Sequence, residues 1–324
     1  MTSGDFNGDT LLDLAVANFG SNNVGVFLGN GDGTFKNQVT FAAGTSPNFV
    51  ITDNFINNSV ADLFTVNTLS QSINVLLGNG NGTFQSPVTN NMSEIPLSLT
   101  SADFNGDGRE DVAVTSVNNT VNIFLSNGNG TFQNSGTYST GNIPINIIAD
   151  FFNDDLILDL AITSSGSNYV GVLLGNNNGT FQNQATYPTG TTPVAVVSNN
   201  FNNDTILDLA VANNGNNTVS VLLGNSNGTF QTQTTYPTGT NPSDIAAGDV
   251  NNDGNVDLIV TNSADNTISV LLGNGDGTFQ TQRTYATGTN PQSLVLANFN
   301  NDTKLDLAVA NFNDSTLRIF LNTC

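Results

Sequence analysis

The chain repeats itself about every 49 residues. An aspartate that ends an acidic loop recurs at Asp13, Asp62, Asp111, Asp159, Asp208, Asp257 and Asp306, with successive spacings of 49, 49, 48, 49, 49 and 49. A proline keeps the same beat at Pro47, Pro96, Pro144, Pro193, Pro242 and Pro291. So does the phenylalanine of a Gly-Thr-Phe turn, at Phe35, Phe84, Phe132, Phe181, Phe230 and Phe279. Three markers in one phase make the repeat structural, since a fixed period of this length signals stacked or ring-closed units. Seven repeats of 48–49 residues without linkers predict one domain over residues 1–324.

Each repeat reads as four short strands. In the sixth, "SDIAAGDV" precedes the acidic loop and "DLIVTN" follows it; "TISVLLGN", a Gly/Asn/Asp turn and "TFQTQRTYATG" complete the unit. The alternation is that of strands, and the turn residues are those that positive φ requires. No stretch sustains a period of 3.6. The predicted fold is all-β, a seven-bladed β-propeller of four-stranded antiparallel blades. A β-solenoid is the second choice, although its rungs are usually shorter. A closed ring also removes free sheet edges. Counting strands gives three in the first repeat and three in the last, 26 in all, so ring closure is expected to be incomplete. The chain starts inside the motif, which suggests a fragment or a mature form.

Composition removes several function classes. Of 324 residues, 26 are acidic and 5 basic, for a formal charge of −21. Nucleic-acid backbones and anionic membrane surfaces attract the opposite balance, so neither is an expected partner. There is no His and no Trp, and the single Cys is Cys324, so no intrachain disulfide forms. No apolar run approaches the roughly 20 residues of a membrane-spanning helix. The N-terminal segment lacks the basic and apolar regions of a signal peptide.

The acidic loop carries the chemistry. At positions 1, 3, 5 and 9 it reads Asp5, Asn7, Asp9 and Asp13 in the first repeat, Asp103, Asn105, Asp107 and Asp111 in the third, and Asp249, Asn251, Asp253 and Asp257 in the sixth. Alternate side chains on a tight loop can turn oxygens inward, a later carboxylate can close the cage, and the position-7 carbonyl can add a ligand. Hard, partly anionic oxygen donors on a flexible loop suit Ca²⁺ better than Mg²⁺. Zinc and copper would favour His or Cys. Asx turns alone would explain one such loop. They do not explain why 16 of the 26 acidic residues fall on these positions across seven copies.

The copies are unequal. The fifth and seventh carry Asn at position 1: Asn200, Asn202, Asp204, Asp208 and Asn298, Asn300, Asp302, Asp306. The fourth keeps Asn153, Asp155 and Asp159 but begins on Phe151, so it needs Asp150 or Asp154 in a shifted register. The second reads Asn54, Ile56, Asn58 and Asp62, and an isoleucine ligates nothing. The expected order of cation affinity is repeats three, six and one, then five and seven, then four, with two empty.

"D-F-N-G-D-G-x-x-D-[VL]" with the following "A-V" resembles the FG-GAP/VCBS repeats of integrin α-subunit heads and of many secreted or cell-surface proteins, over the whole chain. The resemblance implies a propeller with Ca²⁺ in the loop between the first two strands of each blade. It also implies an extracellular or cell-surface role in adhesion or ligand binding, with the ligand on the face opposite the loops. That face carries the variable turns between second and third strands, including Phe19 and Phe312, aromatic anchors for a protein or glycan partner if they do not instead pack at the ring seam. The repeated Phe of Gly-Thr-Phe and the tyrosines Tyr138, Tyr187, Tyr236 and Tyr285 are expected in the core between blades. A Ca²⁺-stabilised binding module is the favoured function and a lectin the second, weakened by the lack of Trp. An enzyme is third, since without His the usual nucleophile–base pairs are scarce.

Overall fold

In the computed structural model, which describes residues 1–56 and 58–323, the repeats fold as seven successive antiparallel sheets, the blades of a β-propeller. The first blade shows the pattern, with strand order β1 (Thr2–Gly4), β2 (Asp13–Asn18), β3 (Asn23–Phe27) and β4 (Val39–Ala42). β1 lies against β2 with Gly4 opposite Asp13 and Thr2 opposite Ala15. This corrects the three strands expected of the first repeat: the residues ahead of Asp5 suffice to pair. The last sheet has three strands among the described residues, Pro291–Ala297, Asp306–Asn311 and Thr316–Phe320.

The β2–β3 connection includes a single 3₁₀ turn, Phe19–Ser21, which Asn22 ends in the left-handed region at φ 57°. The second strand of a blade reads as an alternating segment yet is buried on both sides, as at Asp62–Asn67 and Asp208–Asn213. Sheets stacked face to face require this, with polar side chains paired inside. Asn213 Nδ2, for example, donates to Ser220 Oγ at 2.8 Å and to Thr218 Oγ1 at 3.2 Å.

Two compact units are distinguished. One comprises Met1–Ser139, Gly175–Thr180 and Asn298–Asp302; the other comprises Thr140–Leu174, Phe181–Ala297 and Thr303–Cys324. Within each, the core lies between neighbouring sheets. In the first unit, Ala15, Val24 and Val26 of the first blade meet Val50, Leu63 and Leu76 of the second. In the second unit, Ala210, Val219 and Val221 meet Ile245, Leu258 and Val260. The Gly-Thr-Phe phenylalanines are the hinges of this packing. Phe84, Phe230 and Phe279 meet the loop phenylalanines Phe6, Phe152 and Phe201 edge-on at 5.5–5.8 Å. Tyr187 and Tyr236 pack on Phe230 and Phe279. Tyr285 departs from the expectation and is 47% exposed. The seventh repeat of this chain has no Gly-Thr-Phe ring for it to face.

Candidate metal centres

Antiparallel order puts the β1–β2 loop and the β3–β4 hairpin at the same end of a blade. The position-9 aspartate joins them. Asp13 accepts the Phe6 amide on Oδ2 at 2.8 Å and the Gly29 amide on Oδ1 at 2.8 Å. Asp62, Asp111, Asp208 and Asp257 repeat the arrangement with Phe55 and Gly78, Phe104 and Ser126, Phe201 and Gly224, and Val250 and Gly273. Asp159 accepts the Phe152 amide, and Asp306 the Asn322 amide. All seven side chains are at most 1% exposed. A buried carboxylate holding two buried amides is a staple between loop and hairpin, because either amide left unmatched would destabilise the fold.

The earlier positions shape the loop. In the third repeat, Asp103 Oδ1 accepts the amides of Gly106 and Asp107 at 2.8 and 3.1 Å, and Oδ2 accepts Gly108 at 2.7 Å. Asn105 Oδ1 accepts the Asp107 amide at 2.8 Å, and Asp107 Oδ1 accepts Arg109 at 2.9 Å. Repeats one and six share this register, with Asp5, Asn7 and Asp9, and with Asp249, Asn251 and Asp253. Asn200, Asn202 and Asp204 keep most of it in the fifth, and Asn298, Asn300 and Asp302 keep its centre in the seventh. Position 6 has positive φ in all seven loops, whether Gly (Gly108, 80°; Gly254, 84°) or not (Thr10, 67°; Ser59, 63°; Leu156, 59°; Thr205, 76°; Thr303, 73°). Glycine in repeats three and six removes a strain the other loops bear.

The fourth loop keeps the common register. Asn153 Oδ1 accepts Asp155 N, and Asp155 Oδ1 accepts Ile157 N. Asp150 does not slide into the vacant first position: its carboxylate takes the Phe151 amide and the Ser198 hydroxyl, the latter at 2.6 Å. In the second loop Asn54 accepts the Asn58 amide and Asn58 the Val60 amide.

Charge converges on the buried carboxyls. Burial raises Asp13 above the usual range, with Asp9 and Asp5 adding to the effect against two lowering hydrogen bonds. Burial, then the Asp107 and Asp103 charges, push Asp111 up to about 6. Burial, with Asp204, takes Asp208 to about 6, and burial raises Asp257 with help from Asp253 and Asp249. In repeat two the added charge on Asp62 comes instead from Asp53. Glu110, half-buried, is pushed to about 7 by burial first and then by Asp53, Asp103 and Asp111.

Among the described residues no three Asp, Glu, His or Cys side chains form a ready metal cage. The position-1 and position-5 carboxylates are turned onto loop amides. The donor chemistry nevertheless fits a hard cation in repeats one, three and six, where carboxylate and amide oxygens crowd one loop and burial, with a smaller part from like charges, raises the closing carboxyl. It fits less well in five and seven. It lacks a first ligand in four and fails in two at Ile56. Phe19 and Phe312 stand in their predicted turns, 42% and 58% exposed, and are not packed away. Leu69 and Val117, in the same turns of repeats two and three, are also exposed (73% and 44%) and were not singled out from sequence. Their signal was a large apolar residue in a turn where the fourth and fifth repeats carry Ser-Gly and Asn-Gly.

A putative 6-phosphogluconolactonase from Bacteroides fragilis superposes with a TM-score of 0.74 at 15% identity, over 96% of this chain and 90% of its own. The BBS1N chain, solved in complex with ARL6DN, gives 0.69 at 12% identity over 99% and 92%. A virginiamycin B lyase from Staphylococcus aureus gives 0.66 at 15% identity over 99% and 94%. At such identities the likeness is one of fold. No curated protein sequence matches the chain. The family described as FG-GAP-like repeat matches residues 5–63, 54–114, 103–151, 200–260 and 249–309. All five matches begin at position 1 of an acidic loop, and the chain belongs to the FG-GAP-like repeat family.

Proposed function

We propose that the chain is a Ca²⁺-stabilised binding module acting outside the cell, with adhesion or ligand capture as its role. The observation that carries this is the loop register: the same oxygens recur at the same end of successive blades, around a buried carboxyl that neighbouring charges burden. Bound there, Ca²⁺ would supply positive charge that offsets this repulsion. Asp5, Asn7, Asp9 and Asp13 would hold it in the first repeat, Asp103, Asn105, Asp107 and Asp111 in the third, and Asp249, Asn251, Asp253 and Asp257 in the sixth. The protein's own part is to keep each loop folded. The position-2 carbonyl accepts a hairpin glycine amide of the next blade, as Phe6 does from Gly82 at 2.8 Å and Phe201 from Gly277 at 2.9 Å.

Binding rather than catalysis is favoured by a chain without His and with 5 basic residues. The BBS1N complex with a protein supports a protein partner for such a fold. In each unit we assign the partner surface to the blade end opposite the acidic loops, where the turns differ from repeat to repeat; Phe19 is exposed there in one unit and Phe312 in the other. Phe19→Ala with Phe312→Ala should abolish partner capture and leave the melting temperature unchanged. A large drop in melting temperature would make both residues structural. The cation reading is tested by melting in EDTA against about 2 mM Ca²⁺, a level at which sites of sub-millimolar affinity fill. Stability gained is RT ln(1 + [L]/Kd) per site, several kcal/mol over five such sites. Mg²⁺ should do much less. Equal melting in EDTA and Ca²⁺ would refute it.

A further inference from the structure

The fourth acidic loop differs from the others on its exposed side. Phe151 replaces the position-1 ligand and Leu156 occupies the position-6 site at φ 59°, where the other loops have Gly, Thr or Ser. Leu156 is 82% exposed and Phe151 43%. A leucine held in the left-handed region and turned to water is unfavourable on both counts, and such outliers point toward function. The two side chains line an open depression of about 300 Å³ together with Ile206 and Leu207 of the fifth repeat and the polar residues Asn153, Asp154 and Thr205.

The surroundings carry exposed carboxylates. Asp154, Asp155 and Asp204 are exposed, and no Lys or Arg occurs in the sequence between Arg109 and Arg283. A hollow of mixed polar and apolar lining, with Phe151 and Leu156 exposed and Asp154 in its wall, complements a basic segment that carries a large apolar side chain. Its volume lies at the lower end of ligand pockets, so it takes a side chain or two rather than a folded domain. A second copy is a poor occupant. An isologous contact would set Asp154 and Asp155 of one chain against those of another, on molecules of charge −21. We propose that this hollow on the acidic-loop end of the fourth and fifth blades docks an extended segment of a partner protein, with a bulky apolar residue flanked by Lys or Arg. It is a second surface, at the acidic-loop end of its own blades, and it does not depend on Ca²⁺ in the other loops.

The test is fluorescence anisotropy with fluorescein-labelled Lys-Lys-Phe-Leu-Lys-Lys, in about 2 mM Ca²⁺ and again in EDTA at a temperature where the protein is folded. Binding should be saturable in both. It should weaken about tenfold when Ser-Ser replaces Phe-Leu, and disappear when Glu replaces Lys. Leu156→Gly suits the local φ and should also weaken binding about tenfold, while Asp154→Asn should weaken it about threefold and flatten its salt dependence. No saturable binding, equal affinity for the serine peptide, or indifference to both substitutions would overturn the proposal. So would a dimer in sedimentation velocity that Leu156→Gly abolishes, since a second copy would then be the occupant.

Discussion

The loops of repeats two and three end alike and begin differently. Asp62 and Asp111 each hold the position-2 amide (Phe55 at 3.0 Å, Phe104 at 3.1 Å) and a hairpin amide (Gly78 and Ser126, both 2.8 Å). At the start, Asp103 accepts three loop amides, whereas among the described residues Asn54 accepts the Asn58 amide, and Ile56 brings no donor oxygen. A loop that lacks the position-1 carboxylate and the position-3 ligand proposed for a cation has kept its closing aspartate. Position 9 therefore does structural work in every blade, and under the proposed function positions 1, 3 and 5 would carry what is specific to a cation.

The largest effect should come from removing the shared element. Asp62→Ala and Asp111→Ala each strand two buried amides, at about 1–3 kcal/mol apiece, so each variant should lose about 3 kcal/mol or more in urea unfolding with EDTA present. A neutral Asp62→Ala would end the view of position 9 as a staple. Next comes the element that repeat two lacks. Asp107→Ala should lose about 2 kcal/mol in millimolar Ca²⁺, one site's worth of binding, and well under half of that in EDTA. Equal losses in the two buffers would place Asp107 with the staple.

The acid response should sharpen the contrast. Glu110 near 7 and Asp111 and Asp208 near 6 are raised in the folded state. Their stabilising contribution is complete below the unfolded values near 4 and is lost as pH rises through 6 to 7. In EDTA the melting temperature should therefore fall between pH 5.5 and 7.5. In Ca²⁺ the fall should flatten or reverse, because the ion needs the ionised carboxylates. A parallel fall in both buffers would separate the raised carboxyls from any cation. Smallest of all, Asn58→Ala removes one acceptor, that of the exposed Val60 amide. It should change stability by less than about 1 kcal/mol, equally with and without Ca²⁺.

Much of this was legible in the sequence because it is local. The period, the alternating strands, and the Asn and Gly turns located the blades, and the spacing of oxygens along each loop gave the register that the hydrogen bonds display. What escaped depends on the partner across space. The second amide on Asp13 belongs to Gly29, sixteen residues on, and becomes visible once strand pairing brings the hairpin beside the loop. β1 was missed because a three-residue strand has little pattern of its own. Tyr285 was placed in the core by analogy with Tyr187 and Tyr236, but an aromatic is buried only where the next blade supplies a ring. Phe151 and Leu156 could have been noticed as apolar intruders at polar repeat positions; their exposure and shared hollow needed coordinates.

The central claim, that intact loops bind a cation and the second does not, is tested most directly by counting ions in native mass spectrometry of the Ca²⁺-loaded chain. The parent should retain several Ca²⁺, Asp107→Ala should retain one fewer, and Asn58→Ala should match the parent. An unchanged count in Asp107→Ala, or an ion lost in Asn58→Ala, would contradict it.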